Sequence, residues 1–130
     1  MFNDELRERT FNFAINVIKP LRQIPDNQES KTLKNQIIRS ATSIASNFRA
    51  SCVSRSQREW FSKICIVIEE TDETHFWIEL FEQLYPENLE GLSLLKSESL
   101  NFLKYFQNQE VNFLSNNIFA LLFIIMIILV

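Results

Sequence analysis

The sequence predicts an all-α protein, an up-down four-helix bundle with an atypical apolar C-terminal tail. Three observations point there. One glycine and three prolines in 130 residues leave too few turn residues for the repeated hairpins of a sheet protein. Apolar side chains recur at three- and four-residue steps in four successive stretches. The polar connections between them are short, which sets sequential helices side by side and antiparallel. With 46% hydrophobic residues, a chain of this length can bury one sizeable core.

The first stretch carries Leu6, Phe13, Ala14, Val17, Ile18 and Leu21, with Asn3 or Asp4 to cap its start. Pro20 and Pro25 end or bend it. After a polar loop, Asn27 or Ser30 caps a second helix whose apolar positions are Leu33, Ile37, Ala41, Ile44 and Phe48. That seam suits bundle packing. Beside it Ser40, Ser43, Ser46 and Asn47 are small enough to let another helix approach closely, or else form a polar ligand-binding face. Ser54 or Ser56 starts a third helix of about thirty residues, with Glu59 placed as in a capping box. Its stripe runs Phe61, Ile64, Ile68, Thr71, His75, Ile78 and Tyr85, widened by Trp60, Val67, Trp77 and Phe81. A fourth helix is expected from near Glu87, carrying Leu92, Leu95, Leu100, Leu103 and Phe106.

The bundle is expected over residues 1–112, and residues 113–130 form the tail. From Ile118 to Val130 every residue is apolar. Thirteen helical residues span roughly 20 Å, short of the roughly 30 Å hydrocarbon core of a bilayer. Extension back to Phe113 admits Ser115, Asn116 and Asn117 and finds no basic flank. A membrane is therefore not among the expected partners. A tail anchor, an end buried in the bundle or oligomer, and a reading-frame accident all remain open.

Little in the chain supports catalysis. One glycine excludes a glycine-rich phosphate loop. Cys52 and Cys65 lack metal or redox spacing and have only His75 as a base. Asp72 and His75 share a helical face, but a carboxylate-bridged metal pair needs a second histidine. No enzyme activity, cofactor or metal is expected. The absence of a charged leader with an apolar core makes a reducing cytoplasm, with free thiols, the default location.

Charge is the better lead. The net charge is −3, yet Lys31–Lys63 holds seven basic residues and one acid, a local balance of +6. Ile64–Glu98 holds nine acids and one base, a balance of −8. The two segments either neutralise each other within one bundle or serve a partner. Arg39, Arg49, Arg55, Arg58 and Lys63 are the candidate nucleic-acid contacts, with Trp60 to stack on a base. In a head-to-tail ring, Arg55 and Arg58 of one protomer would meet Glu69, Glu70 and Glu73 of the next.

The segment 36–80 also resembles the 23S rRNA intervening-sequence proteins, a family of bacterial four-helix bundles. The likeness rests on Arg39, Ala41, Ser43, Ile44 and Asn47, then Ser54 and Ser56, the pair Glu59 and Trp60 with Phe61, and Glu69, Glu70, Glu73 and Glu79. It extends more loosely over residues 5–108. The resemblance implies an up-down bundle that often forms a homopentamer. It also implies kinship with the accessory variability determinant of diversity-generating retroelements, which binds nucleic acid and a reverse transcriptase. The expected partners are thus the chain itself, RNA or DNA, or another protein, with the chain acting as a scaffold or adaptor. After about Gln109 the sequence departs from the family pattern.

Overall fold

A computed structural model describes residues 2–86 and 91–129, without the side chains of Phe2 and Leu129. Among them are four α-helices and no strand: α1 (Phe2–Leu21), α2 (Gln28–Ser51), α3 (Gln57–Leu84) and α4 (Leu92–Leu129). α2 packs mainly on α3, α3 on α4 and α1 on α2, while α1 and α4 touch least. The order is that of an up-down four-helix bundle.

The helix starts follow local chemistry. Asn27 caps α2 and Ser30 reciprocates: the Asn27 side chain accepts from the Ser30 amide at 2.7 Å, and Ser30 Oγ accepts from the Asn27 amide at 2.8 Å. Ser56 caps α3 by accepting from the Glu59 amide at 3.1 Å. Glu59 does not close a capping box with Ser56, because its carboxylate accepts from the Arg55 amide one residue earlier. Pro20 is still helical, but α1 ends one residue later, at Leu21. The proline stands in the last turn, where its missing N–H removes only one helical bond. The chain then tightens through Arg22, Gln23 and Ile24, whose amides donate three residues back. The expected fourth-helix start near Glu87 lies outside the described residues.

The core is made by Leu6, Phe13, Val17 and Leu21 of α1, Ile37, Ala41, Ile44 and Phe48 of α2, Ile64, Val67, Ile78 and Phe81 of α3, and Leu92, Phe102 and Phe106 of α4. Phe102 meets Phe13 edge-on at 5.4 Å, and Phe106 meets Phe48 at 5.4 Å. Leu100, expected inside, is 41% exposed. The inward positions are Leu92, Ser99, Phe102, Leu103 and Phe106, a face set by burial of its large side chains, and Ser99 on that face bonds His75 Nδ1 at 2.8 Å.

Seven hydroxyl residues are buried: Thr10, Ser30, Ser40, Ser51, Thr71, Thr74 and Ser99. None is left unbonded. Most donate to a carbonyl of their own helix, as Thr71 does to Val67 at 2.6 Å and Ser51 to Phe48 at 2.7 Å. A buried polar group satisfied within its own helix presents a nearly apolar surface to its neighbour. Two also bond across helices: the Thr74 hydroxyl donates to Ser40 Oγ at 2.8 Å and joins α3 to α2, and Ser99 bonds His75 and joins α4 to α3.

Ile44 is fully buried between these helices. Ile44→Ala is expected to lower stability by about 2–5 kcal/mol through lost transfer energy and a residual cavity. Exposed Thr42→Ala should stay within about 0.5 kcal/mol. Urea unfolding of the two variants checks the contrast, and equal midpoints would refute this placement of the core.

Candidate interaction surfaces

The lopsided charge of the sequence resolves into two different arrangements. The first is internal. Arg39, on α2, reaches across to α3, where its guanidinium donates to Glu70 at 3.1 Å and also to Glu73. The Trp77 indole N–H donates to the same Glu73 carboxylate at 3.0 Å. Glu73 is held below the usual carboxylate range, chiefly by the Arg39 guanidinium and secondly by the Trp77 indole. Arg39 is raised in turn, most by Glu73 and then by Glu70. Of the five cations expected to contact nucleic acid, Arg39 is thus committed to its own chain.

A second internal network joins α3 to α4. Lys96 bridges Glu79 at 3.0 Å and Glu82 at 3.3 Å. His75 is half-buried beside it, bonded to Ser99 and 3.6 Å from Glu79. Asp72 is exposed on the outer face of α3. Among the described residues no group of three or more potential ligands is placed to hold a metal. Cys52 and Cys65 are free, and burial pushes the Cys65 thiol up.

The remaining cations gather at one end of the bundle. Arg49 ends α2, Arg55 lies in the turn, and Arg58 and Lys63 open α3. Arg55 faces Glu59 at 3.5 Å. Among the described residues Arg49, Arg58 and Lys63 have no ion-pair partner. Trp60 is not the free stacking surface that the sequence suggested. It is half-buried, 5.8 Å from Phe113 of α4, while Phe61 stacks on Phe113 at 4.5 Å. The family-motif residues Ser43 and Asn47 are half-buried on α2, with the Asn47 amide donating to Ser43 Oγ at 3.0 Å. Ile44 is core, and Ser56 and Glu59 are capping residues.

Two further surfaces were not legible as sites in the sequence. Between α1 and α2 runs an open groove of about 370 Å³, lined by Phe11, Ala14, Ile15, Ile18 and Ala45, with Arg7 and Arg49 at its rim. On the outer face of α3, Glu69, Asp72 and Phe76 stand at helical spacing, all exposed. A periodicity search assigns Phe11 and Phe76 no role because each falls outside the apolar stripe of its own helix.

A model of the 23S rRNA-intervening sequence proteins matches residues 3–105. Among solved structures, the chain is similar to a protein of unknown function from the S23 ribosomal protein family of Bacteroides thetaiotaomicron. The identity is 23% and the TM-score 0.70, with 80% of this chain and 96% of the other covered. No curated protein matches the chain.

The Arg39 cluster makes a prediction about acid stability. Because the folded Glu73 is lowered, its stabilisation is complete above the ordinary 4.5 and is lost as pH falls through the lowered folded value. Both partners are partly exposed, so the contribution is under about 1 kcal/mol. Glu73→Gln should therefore unfold slightly more easily at neutral pH and lose less stability on acidification. Denaturation across that range reads the difference, and parallel curves for the two proteins would dismiss the role of the cluster.

Proposed function

Because the chain belongs to the 23S rRNA-intervening sequence protein family, we propose that it acts as a non-catalytic helical scaffold that self-assembles head to tail. The observation that carries this reading is the apolar α1–α2 groove with its arginine rim. An open apolar groove of this kind is where a partner helix docks. Phe11 on its wall is 59% exposed, as is Phe76, at 54%, on the opposite side of the charge pattern.

A second copy fits this groove by chemistry. Phe76 supplies an apolar knob, and Glu69 and Asp72 beside it complement Arg49 at the rim, where Arg7 already faces Asp4 at 3.7 Å. The contact joins unlike surfaces and so closes only at a suitable rotation, as in a ring. The contact expected from charge alone set Arg55 and Arg58 against Glu69, Glu70 and Glu73. Only Glu69 of that set is kept here, because Glu70 and Glu73 are already engaged by Arg39, and the groove rim takes the place of Arg55 and Arg58. Arg55, Arg58 and Lys63 are left for a phosphate-bearing partner, and the reading of the family's scaffold as an RNA binder rests on them alone.

Sedimentation equilibrium of the full chain in density-matched detergent tests assembly. A single species at a multiple of the chain mass is expected. Phe11→Glu and Phe76→Glu should each lower that mass to the monomer while keeping the helical circular dichroism signal. A monomeric parent, or variants that assemble as the parent does, would overturn the head-to-tail contact.

A further inference from the structure

α4 is far longer than the helices it packs against. Its 38 residues rise about 57 Å, and its last aromatic contacts with α3 are those of Phe113 with Trp60 and Phe61. Beyond that point every large apolar residue from Ile118 to Ile128 is 43–76% exposed. Ten such side chains within eleven successive residues cover the whole circumference, because each is turned about 100° from the last. A helix that docks on a protein needs an apolar stripe with a polar back. One that is apolar all round needs an apolar medium. Self-association of these segments would leave their outward faces wet, so a second copy does not satisfy them.

The sequence shows no basic flank before this run, but the fold supplies one. α4 leaves the bundle beside the start of α3, where Trp60 and Phe61 pack on Phe113 and where Arg55, Arg58 and Lys63 lie. Exposed Val53 is in the same turn. Aromatic and basic residues together mark the level of a membrane interface. The acids at this end are Glu59, facing Arg55, Glu110, facing the Cys65 thiol, and Asp4, Glu5 and Glu8 of the first turns of α1, where Asp4 and Glu8 line a shallow pocket with Arg7 and Arg49. The charge contribution is therefore local and modest, and apolar insertion dominates.

Length agrees. No charged residue occurs from Val111 to Leu129, and the helix is long and apolar enough to cross a membrane. The stretch 118–129 alone rises about 18 Å, past the midplane of a core about 30 Å thick. Just before it, the Asn117 amide donates to the Phe113 carbonyl at 2.7 Å, which lowers the penalty of bringing that polar group to the boundary.

We infer that α4 beyond Phe113 inserts into a lipid bilayer, with the bundle seated end-on and Arg55, Arg58 and Lys63 against the headgroups. The inference is independent of self-assembly, since the monomeric Phe11→Glu variant must insert as the parent does. The full chain, purified in mild detergent, is mixed with phosphatidylcholine vesicles, with or without phosphatidylglycerol, and floated on a density gradient after detergent removal. It should float with both and remain bound at about 1 M salt, where charges are screened beyond about 3 Å. Phe123→Asp with Ile127→Asp should lower partitioning by roughly 100-fold per substitution, with the bundle intact because these residues are exposed. Arg58→Glu with Lys63→Glu should float on phosphatidylcholine unchanged but lose the increment from phosphatidylglycerol. Should the aspartate variant lose helicity, protease digestion of the reconstituted parent decides, and the apolar peptide must stay with the vesicles. A parent that stays dense, as a soluble oligomer or bound to added RNA in place of lipid, would overturn the inference. So would release by salt, or an intact aspartate variant that floats as the parent does.

Discussion

The dry contact between α2 and α3 is the interaction on which the rest of the molecule depends. Ile37, Ala41, Ile44 and Phe48 face Ile64, Val67, Thr71, Thr74 and Ile78, and most are wholly removed from water. Full burial of each large aliphatic or aromatic side chain here stabilises by about 1.5–3 kcal/mol. The Arg39 ion pairs add less than about 1 kcal/mol. Burial therefore supplies the stability. The polar pairs Arg39–Glu73 and Ser40–Thr74 set which turn of α3 meets which turn of α2. α1 then packs on the free flank of α2, and α4 on that of α3, each finding a surface already ordered by this contact.

Helix order and most of the core were legible because amphipathic spacing reports burial directly. The Asn27 and Ser56 caps were legible for the same local reason: their side chains act within three residues. What was not legible depends on partners distant in sequence. Leu100, expected inside, is exposed, and Phe102, given no role in the sequence, is buried, because the face of α4 that packs carries Leu92, Ser99, Phe102, Leu103 and Phe106. Pro20 remains helical because it falls in a last turn rather than an interior one. Trp60 is turned from a candidate stacking surface into a packing residue by Phe113, more than fifty positions away. Arg39 reads as a basic-patch member in the sequence, whereas the fold places it among carboxylates. The recognised family motif proves largely architectural, made of core, capping and internal ion-pair residues.

The same separation of local and distant information governs the interaction surfaces. Within one segment of net charge +6, Arg39 neutralises α3, Arg49 borders the α1–α2 groove, and Arg55, Arg58 and Lys63 lie in the turn and first turns of α3, beside the exit of α4. Three roles come from one charge run because α2 and α3 carry its members to different places. α4 links them to a second environment, for it is unbroken from Leu92 to Leu129. Its first half is phased by the bundle core, and its second half has no phase. A rigid helix that passes from a packed core into an apolar segment fixes the orientation of everything attached to it. In this account the bundle stands on the membrane by the α2–α3 turn and presents its flanks, the groove and the α3 outer face, to further copies.

The two tryptophans measure that orientation directly. Trp60 and Trp77 are seventeen residues apart on α3, about 25 Å along the helix axis. Their quenching by brominated lipids can be read separately in Trp77→Phe and Trp60→Phe proteins reconstituted into vesicles. Trp60 is expected to be quenched by lipids brominated close to the headgroup while Trp77 is unaffected. Equal quenching of the two, or none of either, would contradict an end-on bundle held by α4.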